Sequence, residues 1–444
     1  MIDGVYQYNI TTFGCQMNKN DSERMAAVLE LAGFAPVDDP RAADVLILNT
    51  CSVRDSAESR IFGRGRDINK WRAKNPNLVV AITGCLPGRD PKGEVKKKMP
   101  WVDLYFPNSE MVRLPAMIAE IRPQMIRQKS IFPDSYLSVI PKYSENFRAF
   151  VPVQTGCNQF CTYCVVPYSR GREKNRPLAE ILSEVRALAE KGVREVHLLG
   201  EIVNHYTAPD PENFSENNLF RKNDFARLLF EINNISGIER IHYTAPHPLY
   251  MDEEMIAALA LPHHMNYLHL PVQSGSDKIL AKMNRRHTRA EYLDIIKKIR
   301  QVRPGIAIGT DIIVGFCGET EDDFMDTIRL YEECDFDISY PAQYSVRSGT
   351  AAAKVFVDDV SEAEKKTRWN RLQAKMEEIT EKKNRAYLGK TVSVLVDRWE
   401  NGECLGNSSE MKLVGFGGDS KYIGQIVSVR IDFADKWILR GEMI

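Results

Sequence analysis

Apolar runs alternate with helix-compatible stretches along the first part of the chain. Three runs are typical of buried strands: YNITTFGC, DVLILNTC and NLVVAITGC. Each precedes a stretch with the apolar spacing of a helix, such as NDSERMAAVLELAGF. Alternation of this kind predicts βα units on a parallel sheet, and we assign such a domain to residues 4–121.

The alternation resumes after residues 122–148, a proline-containing stretch of weak periodicity that we interpret as a linker. Six strand-like runs follow: AFVPVQT, EVHLLGE, RIHYTAP, YLHLPVQ, IAIGTDIIVGF and ISYPAQYS. Helical patterns lie between them, for example at 178–191 and 289–302. Six βα repeats are two short of a full eight-stranded barrel, so we predict a partial, open parallel barrel over residues 143–375.

The C-terminal part begins with a charged helix. Residues 359–386 contain no proline or glycine, which predicts a long amphipathic connector. Short β-type runs then alternate with turn residues: TVSVLVD, EMKLVGF, IVSVRIDF and KWILRGE. They predict a small antiparallel β-barrel over residues 378–444, and the fold class is α/β overall.

Charge, apolar content and cysteine count limit the classes of function that the sequence permits. The 444 residues include 59 basic and 60 acidic side chains, so nucleic-acid contact would depend on local patches. No apolar run approaches the roughly 18 residues needed to cross a bilayer, and no membrane partner is expected. The nine cysteines, without a secretory signal, indicate metal or redox ligands in a cytoplasmic protein, which we expect to be a monomer.

Three cysteines share one loop directly after the first predicted barrel strand: Cys157, Cys161 and Cys164. Active sites of parallel barrels lie at this end of the strands. A structural zinc site needs four ligands, and only one Cys-x-x-Cys pair is present. An iron–sulfur cluster held by three thiolates leaves one iron free to bind a small molecule. The alternative is three buried or zinc-binding thiols.

A second set of cysteines is scattered, but each member ends a strand-like run: Cys15, Cys51 and Cys85. Because parallel strands present their carboxyl ends at one edge of a sheet, these residues are predicted to converge. Gly14 and Gly84 would allow the backbone to approach a bulky cluster. The alternative is three incidental buried cysteines. The remaining cysteines receive no role: Cys317, Cys334 and Cys404.

The loop GCNQFCTYC resembles the signature of radical S-adenosylmethionine enzymes, with Tyr163 in the aromatic position before the last cysteine. With the second trio and the C-terminal barrel, nearly the whole chain resembles the radical S-adenosylmethionine methylthiotransferase family. That resemblance implies an N-terminal methylthiotransferase domain, a radical domain and an RNA-binding TRAM domain. The stretches TFGCQMNKNDSE, CTYCVVPYSRGRE, HLPVQSGSD and DIIVGF favour the tRNA-modifying branch.

The resemblance also implies a reaction. N6-isopentenyladenosine, next to the tRNA anticodon, would gain a methylthio group at carbon 2. That C–H is not acidic, so a cofactor-derived radical is needed rather than a general base. Two 4Fe-4S clusters and S-adenosyl-L-methionine are implied: the cluster on Cys157, Cys161 and Cys164 generates the radical, and the cluster on Cys15, Cys51 and Cys85 supplies sulfur. The implied partners are the tRNA anticodon stem-loop, an electron-donor protein and a sulfur or cluster-assembly donor.

Polar residues at the ends of the other barrel strands are predicted to contact the cofactor, together with Tyr163: Glu201, Thr244, Gln273 and Asp311. The alternative is that they cap strands or support loops.

The chain departs from the family pattern beside the expected cofactor pocket. Glu201 and Ile202 stand where Gln-Asn is usual. Ala245 and Pro246 replace Thr-Ser, and Cys317 replaces proline. A carboxylate at 201 would suit an ion pair with the ammonium of the cofactor.

Basic residues beyond the cysteine loop and in NRRHTR are predicted to contact the RNA backbone: Arg170, Arg172, Arg176, Arg285 and Arg286. The alternative is a solvated charged face. Two other substrates stay open within the family, threonylcarbamoyl-adenosine in tRNA and a ribosomal-protein aspartate. An alternative of another class is a non-catalytic iron–sulfur protein that binds RNA.

Overall fold

The computed structural model describes residues 4–52, 60–126, 131–133 and 135–444. Its N-terminal part contains a five-stranded parallel sheet in the order β2-β1-β3-β4-β5. The strands are β1 (Gln7–Phe13), β2 (Ala35–Pro36), β3 (Val45–Thr50), β4 (Val79–Gly84) and β5 (Leu104–Tyr105). The helices described here are α1 (Gln16–Leu31), α2 (Gly65–Lys74), α3 (Cys85–Arg89) and α4 (Leu114–Ile121). The predicted parallel sheet is confirmed.

The central strands of this sheet are apolar because both of their faces are covered. Val45 and Ile47 of β3 pack into the hydrophobic cluster on one side, and Leu46 and Leu48 pack into the cluster on the other. Alternate side chains of a strand point to opposite faces, so an unbroken apolar run is required here.

The middle part is the predicted partial barrel. Six parallel strands follow one another in chain order: β6 (Arg148–Pro152), β9 (Glu195–Leu199), β10 (Arg240–Tyr243), β11 (Tyr267–His269), β12 (Ala307–Val314) and β13 (Ile338–Gln343). They form two three-stranded sheets, joined by a bridge between Ile241 and His264. A short antiparallel pair lies beside the first strand: β7 (Gln154–Thr155) and β8 (Lys174–Asn175). The prediction of six strands is confirmed.

Helices surround these strands. In chain order they are α5 (Val166–Ser169), α6 (Leu178–Glu190), α7 (Asp224–Asn233), α8 (Glu253–Ala258), α9 (Asp277–Lys282), α10 (Arg289–Val302), α11 (Glu321–Cys334) and α12 (Ala351–Val355). The longer ones bury an apolar stripe against the strands and form most of the largest hydrophobic cluster with them.

The C-terminal part contains the charged helix α13 (Glu362–Arg385) and a closed five-stranded barrel. Its strands are β14 (Thr391–Glu400), β15 (Glu403–Ser408), β16 (Leu413–Gly417), β17 (Ile426–Ala434) and β18 (Leu439–Met443). Strand β15 was not predicted because its sequence, ECLGNS, is poor in β-branched and aromatic residues. The pair β16–β18 is parallel, so the barrel is not purely antiparallel.

The N-terminal sheet and the partial barrel are held together through α1. Asn20 donates a hydrogen bond of 2.8 Å to the carbonyl of Phe150 in β6. Arg24 donates to the carbonyls of Leu137 and Val139. The predicted linker is therefore wrong for this stretch, which is packed against α1 with Leu137 and Val139 buried.

The base of the partial barrel meets the C-terminal barrel. Arg240 of β10 donates to the carbonyl of Ser393 at 2.7 Å and to that of Asn407 at 3.0 Å. Within the described ranges, no helix combines the length and the apolar character that crossing a membrane requires.

Candidate functional site

The strand register of the N-terminal sheet brings Cys15, Cys51 and Cys85 together. Phe13 lies opposite Thr50 in β3, and Thr50 lies opposite Gly84 in β4. The three strands therefore end side by side, and a cysteine follows each end within two residues. The thiol of Cys51 hydrogen-bonds with those of both Cys15 and Cys85.

Two buried asparagines hold this edge in place, and the sequence analysis did not identify them. Asn18 donates to Oδ1 of Asn49 at 3.0 Å and to the carbonyl of Thr50 at 3.1 Å. Asn49 donates back to the carbonyl of Asn18 at 2.8 Å, and the Cys15 thiol donates to Oδ1 of Asn18 at 3.2 Å. An asparagine two positions before Cys51 in an otherwise apolar strand was the signal that could have revealed them.

The two glycines beside the cysteines have a different role from the predicted one. Gly84 has φ of 102°, and a Cβ there would lie 2.2 Å from the carbonyl oxygen of Thr50. A Cβ at Gly14 would lie 2.4 Å from Oδ1 of Asn18. Both glycines therefore allow the protein to pack against itself, rather than opening space for a bound group.

The loop with Cys157, Cys161 and Cys164 begins after the short strand β7. The C-terminal end of α9 holds the middle of the loop, since Thr162 donates to the carbonyl of Lys282 at 2.8 Å through its hydroxyl. Two donors reach the sulfurs: the backbone N–H of Gln159 lies 3.5 Å from Sγ of Cys157, and Nη1 of Arg285 lies 3.6 Å from Sγ of Cys161. Donors of this kind can hydrogen-bond to sulfurs that carry negative charge.

Burial and hydrogen bonding shift the pKa values of the free thiols in opposite directions. Hydrogen bonds with Cys15 and Cys85 raise the pKa of Cys51. Burial raises the pKa of Cys157 to about 11 and raises that of Cys164 further. Hydrogen bonds with Cys51, together with the charge of Arg170 and against the effect of burial, lower the pKa of Cys15 and of Cys85 to about 6. Because the thiolate is the form that binds metal, filling the loop site must release protons at neutral pH.

The donor chemistry of the trios fits iron–sulfur clusters. Among the described residues, no three or more His, Cys, Asp or Glu side chains are arranged to hold a single metal ion. Each trio instead offers thiols only, and thiolates are the protein ligands of iron–sulfur clusters. A buried donor near the N-terminal trio, Nη1 of Arg170, finds no hydrogen-bond acceptor among the described residues, as expected beside an anionic group.

The cysteine loop borders a cavity of about 660 Å³, and the residue after Cys51 reaches the wall of the same cavity. On one side it is lined by Tyr163 and Cys164 of the loop. On another it is lined by Ser52, the residue after Cys51, and by Arg347. Charge interaction with Cys51 acts on the pKa of Arg347, so this guanidinium lies near the N-terminal trio.

Two of the predicted cofactor residues face this cavity from the barrel strands, Gln273 and Asp311. Gln273 has φ of 75°, a conformation that residues other than glycine rarely adopt. Its N–H donates to the carbonyl of Asp311 and its carbonyl accepts from Ile313, both at 2.9 Å. Oδ2 of Asp311 lies 3.1 Å from Nε2 of His269. Thr244, at the end of β10, is not among the residues lining the cavity.

Glu201 follows the end of β9, as predicted, and lies beside a guanidinium. Its Oε1 lies 3.3 Å from Nε of Arg170, whose Nη2 lies 2.7 Å from Oδ2 of Asp21. Burial raises the pKa of Glu201 to about 8, against the opposing charge of Arg170.

Burial corrects the prediction for three of the five arginines that were expected to contact RNA. Arg170 and Arg176 have side chains that are only 5% exposed, and Nη2 of Arg176 lies 2.6 Å from Glu184. Arg285 is buried and donates to the carbonyl of Pro271 at 2.9 Å. A guanidinium held inside the protein cannot reach a phosphate, so two candidates remain on the surface: Arg172 and Arg286.

Three segments of the chain match known families. Residues 151–331 match the radical SAM superfamily, residues 7–107 match the uncharacterized protein family UPF0004, and residues 385–444 match the TRAM domain. The first match contains the cysteine loop, and the second contains all three scattered cysteines.

Solved structures with a similar fold are distant in sequence. The radical S-adenosylmethionine methyltransferase TsrM from Kitasatospora setae, with cobalamin and a 4Fe-4S cluster bound, has a TM-score of 0.55 at 14% identity, covering 79% of this chain and 77% of that one. The cobalamin-dependent S-adenosylmethionine radical enzyme OxsB has a TM-score of 0.51 at 12% identity, covering 84% and 56%. At this identity the likeness extends to the fold alone.

Curated relatives match over almost the entire chain. The tRNA-2-methylthio-N(6)-dimethylallyladenosine synthase of Clostridium botulinum (strain Langeland / NCTC 10281 / Type F) is 40% identical and covers 100% of this chain and 98% of its own length. Proteins of the same name from Thermoanaerobacter sp. (strain X514) and Alkaliphilus oremlandii (strain OhILAs) are 40% and 38% identical, covering 98% and 99% of this chain and 92% and 93% of their own. The chain therefore belongs to the radical S-adenosylmethionine methylthiotransferase family, and the protein is a methylthiotransferase that acts on tRNA.

Proposed function

We propose that the protein adds a methylthio group to carbon 2 of N6-dimethylallyladenosine (N6-isopentenyladenosine), the modified base next to the tRNA anticodon. The names of the relatives support this substrate. We further propose that Cys157, Cys161 and Cys164 hold one 4Fe-4S cluster and that Cys15, Cys51 and Cys85 hold a second. When bound, the first group with S-adenosyl-L-methionine supplies a 5′-deoxyadenosyl radical, and the second supplies the sulfur.

The observation that carries this proposal is the shared cavity. Cys164 lines it directly, and Ser52 brings the position next to Cys51 to its wall. A base bound between them would be close to both sites at once, and this proximity is what a transfer using two centres needs. A protein that used one cluster only for structure would not require the chain next to Cys51 to reach the cavity that Cys164 lines.

The polar residues of the cavity wall suit the binding of S-adenosyl-L-methionine. The side chain of Asp311 is 42% exposed, lines the cavity and is held by Nε2 of His269, so its carboxylate can accept hydrogen bonds from a ligand. Gln273 is held by backbone hydrogen bonds to Asp311 and Ile313, on both sides of Ile312. Tyr163 lines the cavity beside Cys164.

The tRNA would approach from the side of the cysteine loop. Arg172 and Arg286 are exposed on the two segments that hold this loop, since Arg172 contacts Gly156 through its backbone and Arg286 follows Arg285. Phosphate contacts from such residues position a nucleic acid without reading its sequence. The C-terminal TRAM barrel would add further contacts, and an electron-donor protein and a sulfur or cluster-assembly donor would complete the reaction system.

Mass spectrometry of tRNA nucleosides tests the substrate. In cells that lack the protein, we expect the 2-methylthio form to disappear and N6-dimethylallyladenosine to accumulate. Re-expression of the chain should restore the product, and re-expression with Cys334→Ala, which changes a buried cysteine far from both trios in sequence, should restore it equally.

Two other outcomes favour the alternatives. Loss of the methylthio form of threonylcarbamoyl-adenosine would assign that substrate instead. If the reduced protein formed no 5′-deoxyadenosine from S-adenosylmethionine, a non-catalytic role in RNA binding would be favoured.

A further inference from the structure

A buried chain of three ionisable side chains joins the two halves of the site. Oδ2 of Asp21, on α1, lies 2.7 Å from Nη2 of Arg170, and Nε of Arg170 lies 3.3 Å from Oε1 of Glu201. The exposed fractions of the three side chains are 1%, 5% and 17%. We call Asp21, Arg170 and Glu201 the Arg170 triad.

The triad links elements of different domains. Asp21 belongs to the helix that starts at Cys15, whereas Arg170 follows α5, directly beyond the loop cysteines. Glu201 follows β9 of the partial barrel. Removing charges from water costs several kcal/mol per ion unless they are well paired, so a structural role alone is a weak reason for placing three of them here.

The pairing of the guanidinium is incomplete. Nη1 of Arg170 is buried and donates to no residue that the structure describes. Nη2 donates to Asp21, and Oε1 of Glu201 lies on the side of Nε without accepting a hydrogen bond, so Nη1 points in a third direction set by the planar fork. A buried donor without an acceptor costs about 1–3 kcal/mol, which a bound acceptor would offset.

Packing places the N-terminal trio near this charge. Helix α3 begins at Cys85, and a Cβ at Gly88 of this helix would lie 1.9 Å from the carbonyl oxygen of Ser169, the residue before Arg170. The Arg170 guanidinium contributes to lowering the pKa of Cys15 and of Cys85, after the hydrogen bonds that these thiols make with Cys51. In turn, the Cys85 thiol acts on the pKa of Arg170, second only to Asp21 among its charged neighbours. The free donor therefore lies on the side of the trio formed by Cys15 and Cys85.

We propose that Nη1 of Arg170 donates a hydrogen bond to the cluster held by Cys15, Cys51 and Cys85 and raises its reduction potential. Asp21 and Glu201 act as positioning residues that hold the guanidinium. This inference rests on the proposed function, because it requires a cluster at the N-terminal trio. Hydrogen bonds and positive charge near the sulfurs make such a cluster easier to reduce, since reduction adds negative charge.

The first test measures the potential of the N-terminal cluster alone. The full-length chain with Cys157, Cys161 and Cys164 all changed to Ala, reconstituted without air, provides the background. We expect Arg170→Met to shift the midpoint of an EPR-monitored redox titration to a more negative value. Arg186→Met, a matched change on the exposed face of α6, should leave the midpoint in place.

The second test detects the contact itself. In the same background, labelled with ¹⁵N-arginine and reduced, pulsed EPR should show a nitrogen coupling from a guanidinium. The coupling should persist in Arg186→Met and disappear in Arg170→Lys, which keeps the positive charge but lacks the fork. Arg170→Lys also provides the test of this contact if Arg170→Met fails to fold.

The outcomes separate the inference from the function on which it rests. If the background protein binds no iron, the proposed two-cluster function is wrong. If it binds a cluster but shows no nitrogen coupling, or an unchanged midpoint in Arg170→Met, the role of Arg170 is overturned while the two-cluster function stands.

Discussion

Asn18 donates a hydrogen bond of 3.0 Å to Oδ1 of Asn49, and Asn49 donates back to the carbonyl of Asn18 at 2.8 Å. This pair connects the helix that starts after Cys15 to the strand that ends before Cys51. Both side chains are fully buried, so the connection is shielded from water.

Asn18→Ala should loosen the N-terminal trio. The change leaves Oδ1 of Asn49 without its donor in a buried place, which should lower the free energy of unfolding by about 1–3 kcal/mol. It also removes the acceptor of the Cys15 thiol. We expect iron content to fall towards that of a protein with a single cluster, measured after reconstitution without air. Asn77→Ala, at an exposed position, is the control, and equal iron in both variants would contradict this role.

Substitutions in the two trios should block different products of the reaction. Cys157→Ala should abolish formation of 5′-deoxyadenosine, because the loop site could no longer hold its cluster. Cys51→Ala should still form 5′-deoxyadenosine but yield no methylthiolated base. Both products can be measured by mass spectrometry in one assay, with Cys334→Ala as the control. Methylthiolation by Cys51→Ala would show that the second trio is not needed.

Close packing between α3 and α5 should be sensitive to a single methyl group. A Cβ at Gly88 would lie 1.9 Å from the carbonyl oxygen of Ser169, a backbone atom. Gly88→Ala should therefore lower the free energy of unfolding by about 1–3 kcal/mol, the usual cost of overpacking. Gly305→Ala is the control because a Cβ there meets nothing within 4 Å. Denaturant unfolding of both variants measures this difference. Equal free energies of unfolding for Gly88→Ala and Gly305→Ala would refute the close contact.

The base of the partial barrel should give the protein an acid-sensitive element. Burial by itself raises the pKa of Glu195, but hydrogen bonding to His197 and the charges of Arg148 and Arg240 hold it well below its usual value of 4.5. The folded state therefore binds the proton less readily than the unfolded chain. The stabilisation is fully present above pH 4.5 and is lost as pH falls below that value.

Glu195→Gln tests this element. It leaves the buried guanidinium of Arg240 without its carboxylate and removes the nearest carboxylate of Arg148, so we expect a loss of about 3–5 kcal/mol at pH 7. Its stability should also change less than that of the unsubstituted protein between pH 5 and pH 3.5, roughly the range in which this carboxylate takes up a proton in the unfolded chain. Urea unfolding at several pH values measures both effects, and parallel curves would contradict the assignment.

The exposed arginine beside the cysteine loop should contribute to tRNA binding. Arg286→Ala should weaken affinity for a tRNA anticodon stem-loop and reduce the slope of log K against log salt by about 1. Arg186→Ala, on the exposed face of α6, should leave the slope unchanged. Binding measured at several salt concentrations distinguishes them, and an unchanged slope in Arg286→Ala would exclude this phosphate contact.

Much of the architecture could be predicted because its signal is local. The unbroken apolar runs of β3 and β4 reflect strands covered on both faces, and the six runs of the partial barrel match its six strands. The loop cysteines were visible as a spacing, and Cys15, Cys51 and Cys85 as ends of strands. Strand β15 was missed because its residues gain β structure from their neighbours in a closed barrel rather than from their own propensity.

The features that the sequence did not predict depend on contacts between residues that are distant in the chain. A run of basic letters after the cysteines suggested RNA contact, yet Arg170 pairs with Asp21, and Arg176 pairs with Glu184 on α6. Residue type does not distinguish an arginine that faces solvent from one that is buried with a carboxylate partner. The glycines before Cys15 and Cys85 likewise make room for Asn18 and Thr50.

Residue pattern and cysteine spacing were thus enough for the order of the domains, the two trios and the chemistry that thiolates in this arrangement suggest. Folding brought Cys164 and the residue after Cys51 to one cavity, turned three expected RNA contacts inward and set a guanidinium with a free donor near the N-terminal trio. The physical reason is that periodicity records which face of an element is buried. The charged partners that meet in the buried space are selected by the packing of whole domains.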